Sequence, residues 1–176
     1  MDLLLRGAEL IDGTGEPGRP ADVAVTGDRI AAVAAPGELT PEAGTEVVDL
    51  RGLVLAPGFI DVHTHYDAQI LWDGDLTPSS WHGVTSVVMG NCGFGVAPTH
   101  PEHRDTIVRT FENVEGMSAD ALEQGIDWCF ESFPEYLDAL DARDKRLNVA
   151  AFLGHTPLRL WVLGGEERAA SDAELE

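Results

Sequence analysis

The stretch that decides the fold runs from residue 56 to residue 65 and reads Ala-Pro-Gly-Phe-Ile-Asp-Val-His-Thr-His. Its Pro-Gly pair marks a turn, and the mostly apolar residues 59–62 are typical of a strand. The strand ends in residues 63–67, which read His-Thr-His-Tyr-Asp. Two later apolar runs end in the same manner: residues 84–89 lead into Gly-Asn-Cys-Gly, and residues 147–153 lead into Gly-His-Thr.

Helical patterns separate these apolar runs. Residues 133–140 carry apolar side chains at helical spacing, and Ser132 is the predicted N-cap of that helix. Near-continuous apolar strands that alternate with helices indicate a buried parallel sheet built from βα units. In a parallel α/β barrel the functional groups lie at the carboxyl ends of the strands. The three polar strand ends therefore predict a single site.

The first 57 residues follow a different pattern, with short strands bounded by turn residues. Residues 22–26 and 29–33 flank a Gly-Asp turn and predict a β-hairpin. Two more short runs, residues 45–50 and 53–55, suggest further strands. We therefore predict an α/β protein in which a small antiparallel β subdomain of the sandwich type precedes barrel units at residues 58–176.

Composition excludes several classes of function. The chain has 176 residues, 31 of them acidic and 11 Lys or Arg, which gives a net charge of −20. Nucleic acids and anionic membranes require clustered basic residues, so neither is expected as a partner. No apolar run approaches the roughly 18 residues of a membrane span. The two cysteines do not suggest a disulfide framework, and a reducing cytoplasmic compartment is the default expectation.

The first strand end offers two imidazoles for metal binding. Residues two apart in a strand point to the same side, so His63 and His65 are able to approach one ion. Imidazole suits Zn²⁺, and Asp67 is placed to orient a ligand or accept a proton. The alternative is a polar strand end whose histidines are merely solvated.

The other two strand ends add a thiol and a third imidazole. Cys92 follows the second strand, where its thiol is either a zinc ligand or a buried core side chain. His155 follows the third strand and is a candidate ligand, substrate contact or structural histidine. Cys129 lacks such a placement and is expected to pack in the interior. The segment 102–144, with 12 acidic residues against three Arg, is expected to form a solvated helical face.

Four stretches together resemble the amidohydrolase superfamily, and within it the N-acyl-D-amino-acid deacylase (D-aminoacylase) branch. Residues 56–65 resemble the first metal-binding strand of these hydrolases. Residues 81–93, which end in the specific Gly-Asn-Cys-Gly element, resemble the branch itself, as do residues 131–137 and 153–159. The resemblance runs from Asp2 almost to the end of the chain and implies a distorted TIM-like (β/α)₈ barrel.

The resemblance implies a ligand set and a reaction. His63 and His65 match the first-strand metal pair, and Cys92 matches a zinc-ligating cysteine, with one or two Zn²⁺ ions bound. The implied reaction is hydrolysis of the amide of a small-molecule N-acyl-D-amino acid. Zinc would polarise the carbonyl and activate water, while an aspartate transfers the proton. In the family, that aspartate and two further histidine ligands come from later strands, so no catalytic residue is expected in this chain.

The length of the chain raises the question of completeness. A closed barrel requires roughly 200 to 250 residues, so the barrel at 58–176 is expected to be incomplete. The resemblance implies that the β subdomain at 1–57 is incomplete as well, because the small β domain of the family also takes strands from the C-terminus. Residues 171–174 read as a capping box two residues before the end, as a cut within a helix would leave.

Two alternatives to an N-terminal portion of a deacylase stay open: a cyclic amidohydrolase of the hydantoinase or dihydropyrimidinase type, and a non-catalytic fragment that acts only with a complementary chain. Homo-oligomerisation is also left open.

Overall fold

The computed structural model describes residues 1–176 as an α/β protein with two compact units, Met1–Pro57 and Gly58–Glu176. The strands are β1 (Leu3–Leu10), β2 (Arg19–Thr26), β3 (Arg29–Ala34), β4 (Glu46–Asp49), β5 (Val54–Leu55), β6 (Phe59–Thr64), β7 (Val84–Met89) and β8 (Asn148–Ala151). The helices are α1 (Arg104–Glu115), α2 (Ala119–Gly125), α3 (Phe133–Asp141), α4 (His155–Leu163) and α5 (Asp172–Leu175). None of them is both long and apolar enough to cross a bilayer.

The first unit is one sheet with the order β3-β2-β1-β4, and β5 also pairs with β1. The predicted hairpin is confirmed, since β2 and β3 pair antiparallel around Gly27. The expectation of a wholly antiparallel sheet is wrong, because β4 and β5 both run parallel to β1. The chain crosses from β3 at one edge to the far side of β1, and a crossover of this kind brings strands in parallel.

The first unit leaves much of one apolar face of its sheet uncovered by its own residues. Leu10, Ala21 and Val23 form a small buried cluster. Beside it lies an open cavity of about 240 Å³. Its apolar lining includes Leu5, Val25, Ile30, Val33 and Leu55. Residues 1–57 thus form a single sheet layer, and the expected sandwich stays a prediction.

The second unit contains the parallel sheet predicted from the apolar runs, in the order β6-β7-β8. Its core includes Val87 and Met89 of β7, with Phe111 of α1 and Tyr136 of α3 packed in the same cluster. The expected burial holds for only part of the sheet. On the edge strand β6 the apolar residues Phe59, Ile60 and Val62 are all more than half exposed, because β7 is the only strand beside β6.

Helix α3 is tied to the segment after β6. It begins at the predicted N-cap: the Ser132 hydroxyl accepts a hydrogen bond from the Glu135 amide, and the Glu135 carboxylate accepts one from the Ser132 amide at 2.8 Å. The next residue, Tyr136, is buried, and its hydroxyl donates to the backbone carbonyl of Asp67 at 2.9 Å. The capping box therefore fixes the helix start that holds the Asp67 backbone.

Candidate metal centre

His63 and His65 lie on one side of the chain at the carboxyl end of β6. Thr64 between them is buried and donates its hydroxyl hydrogen bond to the Val88 carbonyl at 3.0 Å. Because side chains alternate along a strand, this contact turns the two imidazoles to the opposite side. Their ring centroids are 5.4 Å apart.

Cys92 is brought to the histidines by the loop that follows β7. Gly90 turns the chain with a φ of +76°, and the Gly93 amide donates to the Gly90 carbonyl at 3.0 Å. Between them, Asn91 donates its side-chain amide to the Val62 carbonyl of β6 at 3.0 Å. The loop is thereby attached to the strand that carries the histidines, and the Cys92 Sγ lies 3.9 Å from the His65 Nδ1.

The three side chains form a donor set that fits zinc. One ligand atom each from His63, His65 and Cys92 lies within 4.8 Å of the other two. A tetrahedral zinc ion with Zn–N of about 2.0–2.1 Å and Zn–S of about 2.3 Å holds its donors roughly 3.3–3.6 Å apart. The donor atoms would therefore have to draw closer together on binding zinc. Cys92 is exposed, so the alternative of a buried core cysteine does not hold.

Glu115 is a neighbour of the site that the sequence did not reveal. It is the last residue of α1, and its Oε1 lies 2.9 Å from the His65 Nδ1. Both side chains are largely buried, with 18% of Glu115 and 25% of His65 exposed. The expectation that the acidic segment is uniformly solvated is therefore wrong at Glu115. The only indication in the sequence is that Glu115 follows Phe111 by four residues. This spacing places the two residues on the same face of a helix, and Phe111 is buried.

Asp67 is enclosed rather than solvated. It is 3% exposed, and its Oδ2 is buried without a hydrogen-bond partner. Burial raises the pKa of the Asp67 carboxyl to about 7, and the negative charge of Glu115 contributes to the same shift. Such a carboxyl binds a proton more firmly than a solvated one. Asp67 does not join the three-residue donor set.

Two sequence-based expectations need correction. His155 does not end a strand: β8 stops at Ala151, and His155 is the first residue of α4, outside the donor set. It stays near the Cys92 loop, because the Thr156 amide donates to the Gly93 carbonyl at 2.8 Å. Cys129 is exposed rather than packed in the interior. Its Sγ lies 3.9 Å from Nη2 of Arg143, outside the apolar cluster that buries the neighbouring Phe130.

Comparison with known proteins places this chain in a family. Residues 46–174 match the model of the amidohydrolase family. The chain belongs to the amidohydrolase family. As an amidohydrolase it is related to hydrolases, and the matched segment includes all three donor residues, His63, His65 and Cys92.

The family assignment is supported by individual relatives. The chain is 45% identical over 174 residues to a D-aminoacylase from Alcaligenes xylosoxydans xylosoxydans, an alignment that covers 99% of this chain and 33% of the relative. This amidohydrolase chain therefore spans about a third of the length of that relative.

Solved amidohydrolase structures show the same fold over this length. A D-aminoacylase with a binuclear metal centre matches with a TM-score of 0.77 at 38% identity, covering 99% of this chain and 34% of that protein. The N-acyl-D-glutamate deacylase of Bordetella bronchiseptica, complexed with zinc and a phosphonate mimic of the tetrahedral intermediate, matches with a TM-score of 0.76 at 37% identity. That alignment covers 98% of this chain and 33% of the deacylase.

Proposed function

We propose that this chain is the N-terminal portion of a zinc-dependent hydrolase of N-acyl-D-amino acids. His63, His65 and Cys92 are its metal ligands, and one or two Zn²⁺ ions bind. The observation that carries the proposal is the convergence of two imidazoles and a thiol within 4.8 Å at neighbouring strand ends. The names of the similar proteins favour an N-acyl-D-amino acid over a cyclic amide as the small-molecule substrate.

Zinc bound at this site would polarise the amide carbonyl and lower the pKa of a water molecule. The residues of this chain hold the ligands in place for that chemistry. Asn91 and Gly90 position the Cys92 thiol, and β6 holds both imidazoles on one side. Asp67 and His155 are proposed to support the ligands or face the substrate. A thiol ligand must stay reduced, which fits a cytoplasmic protein.

We also propose that β6, β7 and β8 are the first strands of a TIM-like barrel and that the chain alone is inactive. Its span of a third of the relative and the exposed apolar residues of β6 support this view. A general base for hydrolysis and the remaining ligands would come from residues outside this chain. The non-catalytic alternative, action only with a complementary chain, shares this expectation of inactivity.

The two cysteines provide a matched test of the metal site. We expect Cys92→Ala to lower the zinc affinity of the chain by about 100-fold or more, because it removes a ligand rather than a ligand's support. Cys129→Ala, which removes the other exposed thiol, is expected to leave the affinity unchanged. Competition with a zinc chelator measures both variants. Equal zinc affinity in the two variants would contradict the assignment of Cys92.

Hydrolysis by the isolated chain tests the second part of the proposal. With zinc added, we expect no turnover of a panel of N-acetyl-D-amino acids above the rate without protein. Measurable turnover that is lost in Cys92→Ala would confirm the metal site and contradict the need for residues outside the chain.

A further inference from the structure

Glu115 forms a contact that the donor set itself does not require. Its Oε1 lies 2.9 Å from the His65 Nδ1, and His65 is one of the three proposed ligands. The Glu115 carboxylate is not among the atoms that lie within 4.8 Å of one another. It therefore touches a proposed ligand from outside the cluster.

The rest of α1 explains why Glu115 reaches this position. Ile107, Val108 and Phe111 are buried and anchor one face of the helix, and Glu115 continues that face one turn after Phe111. The helix ends directly afterwards at Gly116, whose φ of +66° is left-handed. The packing of α1 thus fixes the carboxylate close to the strand end.

Helix stability alone does not account for a glutamate here. The carboxyl end of a helix carries a partial negative charge, so a carboxylate in the last turn is unfavourable. Asp67 is a second acidic group nearby, and the two carboxyl groups repel each other when charged. The contact with the imidazole of His65 is the favourable interaction at this position.

We propose that Glu115 is a positioning residue that accepts the Nδ1–H hydrogen bond of His65. The metal-binding nitrogen of His65 is then Nε2, rather than the Nδ1 that lies 3.9 Å from the Cys92 Sγ in the metal-free structure. This inference rests on the proposed function. A neutral imidazole has one N–H donor and one acceptor nitrogen, so fixing the proton on Nδ1 leaves Nε2 free to ligate. Carboxylates that hold metal-binding histidines in this way raise ligand basicity and metal affinity.

The tautomer of His65 tests the contact without any metal. Two-bond ¹H–¹⁵N NMR of the metal-free chain at mildly alkaline pH distinguishes a protonated Nδ1 from a protonated Nε2. We expect His65 to carry its proton on Nδ1 in the wild type and to shift toward Nε2–H in Glu115→Ala, whereas His63 is unchanged. A wild-type His65 protonated on Nε2, or an unchanged tautomer in the variant, would overturn the proposal.

Zinc affinity tests the consequence for the site. Chelator competition with zinc alone is expected to show a loss of about 10- to 100-fold for Glu115→Ala. Glu115→Gln, which keeps an acceptor oxygen without the charge, is expected to fall between Glu115→Ala and the wild type. Glu112→Ala removes an exposed carboxylate one turn earlier and is the matched control, with affinity within about twofold of the wild type.

The outcomes separate this inference from the proposed function. If the wild type binds zinc tightly and both Glu115 variants bind it equally well, the role of Glu115 is wrong and the metal site stands. If the wild type binds zinc no more tightly than Cys92→Ala, the metal site itself fails, and the role of Glu115 toward it fails as well. In that case the NMR result still decides whether the contact with His65 exists.

Discussion

At the scale of single residues, the site depends on small groups that bring Cys92 to the histidines. Gly90 adopts a left-handed φ, and a Cβ at this position would clash with the backbone carbonyl oxygen of Phe152. Backbone yields less readily than a flexible side chain. Glycine at position 90 therefore allows the left-handed turn, and it also allows the backbone after β8 to pass close to the loop.

Gly90→Ala is expected to weaken both folding and zinc binding. The left-handed conformation alone costs about 1–2 kcal/mol for a residue with a Cβ, and relief of the clash must also move the loop that carries Cys92. Urea unfolding and chelator competition measure the two effects.

Gly52→Ala is the control, because Gly52 has a φ of +81° with nothing within 4 Å of the added Cβ. We expect it to lower the free energy of unfolding by about 1 kcal/mol and to leave zinc affinity unchanged. Wild-type zinc affinity in Gly90→Ala would contradict the role assigned to the loop.

At this scale the sequence predicted that His63, His65 and Cys92 converge, but not that Glu115 contacts His65. The two-residue spacing of His63 and His65 and the position of Cys92 after a strand can be read directly from the chain. Glu115 cannot, because its contact depends on which face of α1 packs into the apolar cluster. That packing depends on contacts between segments distant in sequence. From the sequence alone, an acidic residue at a helix end is expected on the surface.

At the scale of elements, the sequence predicted individual strands and helix starts better than it predicted which strands pair. The hairpin of β2 and β3, the strand β7 and the N-cap Ser132 all follow from turn residues, apolar runs and capping chemistry. The parallel pairing of β4 with β1 does not, since strand order depends on contacts between distant segments. His155 lies at the start of a helix rather than at the end of a strand. Gly154 ends the apolar run and serves as the N-cap of α4, so His155 is the first residue of that helix.

The start of α3 predicts a pH dependence of stability. The Ser132 amide lowers the pKa of the Glu135 carboxyl, aided by the Glu131 amide and the Ser132 hydroxyl. A lowered folded-state pKa stabilises the protein above the unfolded value and loses this contribution as pH falls through the folded value. The wild type is therefore expected to exceed Glu135→Gln in stability at neutral pH, and the difference is expected to shrink as the pH falls below about 4.5.

Urea unfolding between neutral and acidic pH measures that difference. Asp138→Asn, at an exposed carboxylate further along α3, is the control and is expected to lack a comparable change. A stability difference between the wild type and Glu135→Gln that is the same at every pH would show that the capping carboxylate does not carry the effect.

At the scale of the whole molecule, two compact units each present an apolar face that their own residues leave uncovered. In the first unit this is the cavity beside β1, β2 and β3, and in the second it includes the exposed side of β6. Residues 58–176 form three parallel strands, whereas a closed barrel has eight, and the incompleteness of such a barrel stays a prediction. The proposal of an incomplete barrel expects residues outside this chain to cover these faces.

Zinc K-edge X-ray absorption of the zinc-loaded chain tests the proposed metal centre most directly. A site formed by His63, His65 and Cys92 predicts one sulfur at about 2.3 Å and nitrogen scatterers at about 2.0–2.1 Å, with the sulfur contribution absent in Cys92→Ala. A wild-type spectrum with only oxygen and nitrogen neighbours would contradict the proposed metal centre.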